Sequence, residues 1–120
     1  MGDRCNVNVR VLPKDRDEFV RIVGEPHQED GCQLDYEDAN YALYQELHDA
    51  ADACLTFVAY NGEGDDYGHG AIASDEEETF DVDTNASGFP VVTVPVLPAN
   101  LDNATGFLAL VSRISKLLEL

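Results

Sequence analysis

The sequence predicts one α+β domain spanning residues 1–120, a mostly antiparallel sheet with three helices in the order β-α-β-α-β-β-β-α. Short runs in which apolar and polar residues alternate recur along the chain, as half-buried strands require. Between them lie stretches with apolar residues at helical spacing, the clearest near the C-terminal end. At 120 residues and 44% hydrophobic content, the chain suits a single core and is too apolar for a disordered acidic tail.

The first element is a strand over Cys5–Leu12, with Cys5, Val7, Val9 and Val11 on one face and Asn6, Asn8 and Arg10 on the other. Pro13 suits the first turn of a helix whose apolar face is Phe19, Val20, Ile22 and Val23, and Gly24 stops it. Residues 25–31 form a polar loop, and the alternation of Cys32, Leu34 and Tyr36 marks a second strand. Asp38 or Asn40 is placed to cap a helix over roughly Tyr41–Cys54, with Leu43, Leu47, Ala50, Ala51 and Cys54 as its buried stripe. The outward face of that helix carries Glu46, Asp49 and Asp52 at successive i, i+3 steps.

Leu55–Tyr60 is β-rich and central, and NGEGDDYGHG over residues 61–70 is a glycine-rich loop. Two short strands, Ala71–Ser74 and Thr79–Asp83, flank the acidic turn Asp75-Glu76-Glu77-Glu78. Phe89–Val96 reads as a further strand beyond the five in that order, placed at an edge by Pro90 and Pro95. Pro98 and Asp102 introduce a helix over roughly Asn103–Glu119, with the stripe Phe107, Leu110, Val111, Ile114, Leu117 and Leu118. The helices are expected to pack on one face of the sheet.

Charge is the unusual quantity. There are 24 Asp plus Glu against seven Lys plus Arg, a net charge of −17. All seven basic residues stand near the two ends (Arg4, Arg10, Lys14, Arg16, Arg21, then Arg113 and Lys116), and the 91 residues from 22 to 112 hold 19 carboxylates. Self-repulsion of this size opposes compaction unless packing, a cation or a basic partner offsets it.

The chemistry-bearing motifs are missing. Asp81, Asp83, Asn85 and Ser87 alternate like a calcium loop, but position six is Ala86 rather than Gly and position twelve is Val92 rather than Glu. His27, His48 and His69 are too far apart for a zinc-type pattern and read as surface histidines. Cys5, Cys32 and Cys54 read as small core residues without the cationic setting a reactive thiol needs. No nucleophile elbow, zincin motif or cofactor fingerprint is present, so neither an enzyme nor a cofactor is indicated. The loop at Gly62–Gly70 lacks a phosphate-binding Lys and carries Glu63, Asp65 and Asp66, which repel anions. It reads as a flexible hairpin or crossover, or as a loop that orders against a basic partner with Tyr67 as anchor. The N-terminal residues hold no apolar signal region and no run is long enough to span a membrane, so a reduced cytoplasmic protein is expected, as monomer or homodimer.

Direct binding of nucleic acid needs basic residues that this chain lacks. The complement is a surface that nucleic-acid-binding proteins accept in place of DNA. Duplex DNA carries about one negative charge per 1.7 Å of axis, and the Glu46, Asp49, Asp52 row places carboxylates about 4.5 Å apart along a helix. Glu63, Asp65, Asp66 and the turn Asp75, Glu76, Glu77, Glu78 extend that row if the fold brings them to one side. In size, acidity and lack of catalytic motifs the chain resembles the DNA-mimicking antirestriction and anti-CRISPR proteins of phages and plasmids, a likeness of properties over residues 25–102. These inhibitors share no common fold. The resemblance implies a stoichiometric inhibitor that occupies the basic nucleic-acid site of a restriction enzyme or CRISPR effector complex. Two rival readings stand beside it. Halophilic adaptation also yields an acidic chain with few lysines, here two; a small enzyme or ligand-binding domain would place its pocket between the sheet and the loop holding Tyr67 and His69.

Overall fold

The structure, a computed structural model, describes residues 4–40, 43–62, 68–85, 90, 91 and 97–119. Strand β1 (Arg4–Val11) buries Cys5, Val7, Val9 and Val11 and exposes Asn6, Asn8 and Arg10, following the alternation in its sequence. A 3₁₀ turn (Pro13–Asp15) leads into α1 (Arg16–Val23), which ends where Gly24 adopts φ 113°. Tyr36 Oη donates to the Gly24 carbonyl at 2.8 Å and fixes that end.

Residues 25–31 contain a strand that was not foreseen. β2 (Gln28–Asp30) pairs with β3 (Gln33–Asn40), and all three of its side chains are exposed, so it carries no alternation to read. The observed order is therefore β-α-β-β-α-β-β-β-α. Helix α2 (Tyr44–Asp52) is shorter than expected and has no side-chain cap. The cap candidates Asp38 and Asn40 belong to β3, and the helix opens from Leu43 in the left-handed region.

At the other end of α2 the Leu55 N–H donates to Ala50 O and the Cys54 N–H to Ala51 O, the paired bonds of a Schellman motif. Cys54 takes the position usually held by glycine, at φ 63°, and is exposed. It is thus a helix terminator and not part of the buried stripe.

Strands β4 (Phe57–Asn61), β5 (Gly70–Ser74) and β6 (Thr79–Asp83) complete a six-stranded antiparallel sheet ordered β2-β3-β1-β4-β5-β6. The expected strand at 89–96 lies largely outside the described residues; Pro90 bridges Thr84, and the Val91 N–H donates to Asp83 O. Helix α3 (Leu97–Glu119) starts six residues earlier than expected, with Pro98 in its first turn.

The helices occupy both faces of the sheet, not one. Phe19, Val23, Leu47, Ala50 and Ala51 of α1 and α2 pack with Val7, Val9, Leu34, Phe57, Ala59 and Ile72. On the reverse face Phe107, Leu110 and Ile114 of α3 pack with Val58, Ala71, Ala73 and Val82. The cause is local. Strand β1 is apolar on one side, whereas Phe57-Val58-Ala59 and Ala71-Ile72-Ala73 are apolar on both and require cover on both.

Candidate functional site

The outward face of α2 carries Glu46, half-buried, and Asp49 and Asp52, both exposed, because Leu47, Ala50 and Ala51 take the inward positions. Asp49 accepts a bond from Gln45 Nε2 at 2.9 Å. Strand β6 runs alongside. Its alternation turns Val82 toward α3 and leaves Asp81 and Asp83 exposed on the side of α2. His48 Nε2 lies 3.3 Å from Asp81 Oδ2, which joins helix and edge strand directly. The Tyr44 ring meets His48 in a tilted contact, 4.3 Å between centroids, and the neighbouring Asp81 carboxylate pushes the Tyr44 phenol above its ordinary pKa.

The turn between β5 and β6 is a different environment. Asp75 Oδ1 accepts the Glu77 and Glu78 N–H groups at 2.8 Å each, so it forms the turn itself. Lys14 Nζ lies 3.0 Å from Glu76, and Arg113 lies 2.6 Å from Glu78 and 3.8 Å from Asp75. Basic residues from opposite ends of the chain thus converge on this turn, and hydrogen bonding to Glu76 raises the Lys14 pKa. Glu77 is exposed and makes no ion pair among the described residues. Glu63, Asp65, Asp66 and Tyr67 lie outside the described residues.

The acidic positions therefore fall into two sets. Asp81 is joined to α2 through His48, and none of Glu46, Asp49, Asp52, Asp81 and Asp83 pairs with Lys or Arg among the described residues. The turn at 75–78 sits at the end of the sheet where β4 begins, beyond the C-terminal end of α2, and its charge is partly neutralised. Asp81 and Asp83 are additions to the residues picked from sequence. Their D-x-D spacing after a turn, on a strand of period two, was the available signal.

A cavity of about 360 Å³ opens beside this face, lined by Tyr44, Asn61, Gly70, Ile72, Asp81 and Asp83. Among the described residues no group of three or more His, Cys, Asp or Glu is arranged to hold a metal ion, and no helix is long and apolar enough to cross a membrane. No protein-family model, curated protein or solved structure matches the chain.

Proposed function

We propose that this protein is a stoichiometric inhibitor, working in the cytoplasm, that presents an acidic face to the basic nucleic-acid site of another protein, in the manner of the antirestriction and anti-CRISPR DNA mimics. The observation that carries the reading is the unneutralised face of α2 and β6. Asp49, Asp52, Asp81 and Asp83 are exposed there, with Asp81 joined to the helix through His48, while Lys14, Arg16, Arg21 and Arg113 are paired elsewhere. Carboxylates lie about 4.5 Å apart along the helix and about 7 Å apart on the strand, spacings that basic side chains set for phosphates can meet. Such a face attracts a basic groove from a distance and excludes nucleic acid once seated.

The test is capture of restriction and CRISPR complexes on the immobilised protein, followed by elution with salt and with duplex DNA. Release of a nucleic-acid-binding complex by both eluents supports the proposal. A folded protein that retains no such complex, or retains one that DNA does not displace, contradicts it.

A second reading, adaptation to high salt, is favoured by one observation. Glu25, Asp30 and Glu37 are exposed at the opposite side of the molecule, on and around β2 and β3, so acid is not confined to one face. Under that reading the fold melts when salt is withdrawn. A DNA mimic keeps its fold there and binds its partner more tightly.

A further inference from the structure

Helix α3 covers only part of its side of the sheet. It packs on β4, β5 and β6, while β1 and β3 turn Arg10 and Asp35 to the same side without a helix above them. Between this polar strip and the C-terminal part of α3 runs a groove of about 440 Å³, walled by Val111, Ile114 and Leu118 and lined also by Tyr60. That volume falls within the roughly 300–1,000 Å³ of small-molecule sites.

Three features set the groove apart from ordinary solvated sheet. In a chain where 24 carboxylates face seven basic residues, Arg10 makes no ion pair and no side-chain hydrogen bond among the described residues, whereas Lys14, Arg16, Arg21 and Arg113 all pair. Lys116 also makes no ion pair among the described residues, but it stands exposed on α3 and does not line the groove. Among the described residues Asp35, in the same groove, pairs with no cation either; its side chain meets Gln33 Nε2 at 3.5 Å. The Tyr60 hydroxyl is likewise without a partner among the described residues. Burial raises its pKa and the nearby Arg10 charge opposes that rise; in the sheet Arg10 stands opposite Val58, two residues along β4 from Tyr60.

We propose that this groove binds a small zwitterion with an aliphatic side chain, its carboxylate on Arg10, its ammonium on Asp35 and its hydrocarbon against Val111, Ile114 and Leu118. A simple anion would face both Asp35 and the field of a chain at net charge −17. A simple cation would meet Arg10. A net-neutral ligand bearing both charges satisfies both groups and leaves neither side chain desolvated and unpaired.

The test is an NMR titration of the intact protein with leucine, with 4-methylpentanoate (no ammonium) and with 3-methylbutylamine (no carboxylate). Leucine gives saturable shifts confined to β1, β3, β4 and the C-terminal half of α3, and each truncated probe binds about tenfold or more weakly. Arg10→Gln and Asp35→Asn, both at strand positions outside the core, each weaken leucine about tenfold as well. The proposal is overturned if leucine gives no saturable shift up to about 10 mM. It is overturned equally if either truncated probe matches leucine on the parent protein, a comparison that needs no variant to fold.

Discussion

A side chain at Gly106 would bring its Cβ within 2.3 Å of Phe80 Cε1 and 2.5 Å of Cζ, so the Phe80 ring lies directly on the backbone of α3. This contact clamps the edge strand β6 to the helix and leaves the neighbouring Asp81 turned toward α2. Alanine is favoured over glycine in a helix by about 1 kcal/mol. Gly106→Ala nevertheless destabilises the fold by about 1–3 kcal/mol, because the displaced object is an aromatic ring held between helix and strand. In a Phe80→Leu background the same change is close to neutral. Denaturant melts of the four proteins measure the coupling.

Cys54 offers the opposite case. It occupies the left-handed residue of the Schellman motif that ends α2, at φ 63°, and its side chain is exposed. Cys54→Gly removes the Cβ strain and raises stability by about 1 kcal/mol, whereas Cys54→Val lowers it. Midpoints of urea unfolding decide the sign.

Burial, reinforced by Glu25 and opposed by Arg16, pushes the Tyr36 phenol up to about 12. The phenol of the unfolded chain titrates near its ordinary value of 10.0. The stability associated with keeping Tyr36 neutral is therefore complete below about pH 10 and is lost as pH rises through about 12, because the unfolded chain releases its proton first. Two units set an upper bound of ~2.7 kcal/mol on that loss. Tyr36→Phe gives up the bond to Gly24 O, about 1 kcal/mol at neutral pH, and flattens the decline between pH 10 and 12. Melts of parent and variant across that range compare the slopes.

The strand at Cys5–Val11 and the stripe of α3 were legible because a single periodicity holds along each. β2 was not, since Gln28, Glu29 and Asp30 are all exposed and a short edge strand has no buried face to mark it. The start of α2 was hidden because Leu43 enters it from a left-handed conformation with no capping side chain. Cys54 looked buried by spacing, yet the helix ends at Asp52 and the backbone turns it outward. Cover on both faces was written in the unbroken apolar runs at 57–59 and 71–73, which alternation alone does not interpret. Helical spacing put Glu46, Asp49 and Asp52 on the outward side of α2, where Asp49 and Asp52 are exposed and Glu46 is half-buried. The neutralisation of the 75–78 turn depends on Lys14 and Arg113, separated from Glu76 and Glu78 by 62 and 35 residues, distances at which no local pattern speaks.

An acidic interface on α2 and β6 is distinguished most directly from acidity in general by comparing two variants of equal charge. One replaces Asp49, Asp52 and Asp83 with Asn; the other replaces Glu25 and Glu37 with Gln and Asp30 with Asn, all six positions being exposed. Each set removes three negative charges, taking the net charge from −17 to −14. The measurement is the affinity of each variant for the captured nucleic-acid-binding complex at fixed salt. The α2 and β6 variant is predicted to bind at least about tenfold more weakly than the parent while the opposite-side variant stays within about twofold. Equal weakening by the two sets contradicts a contact surface on α2 and β6.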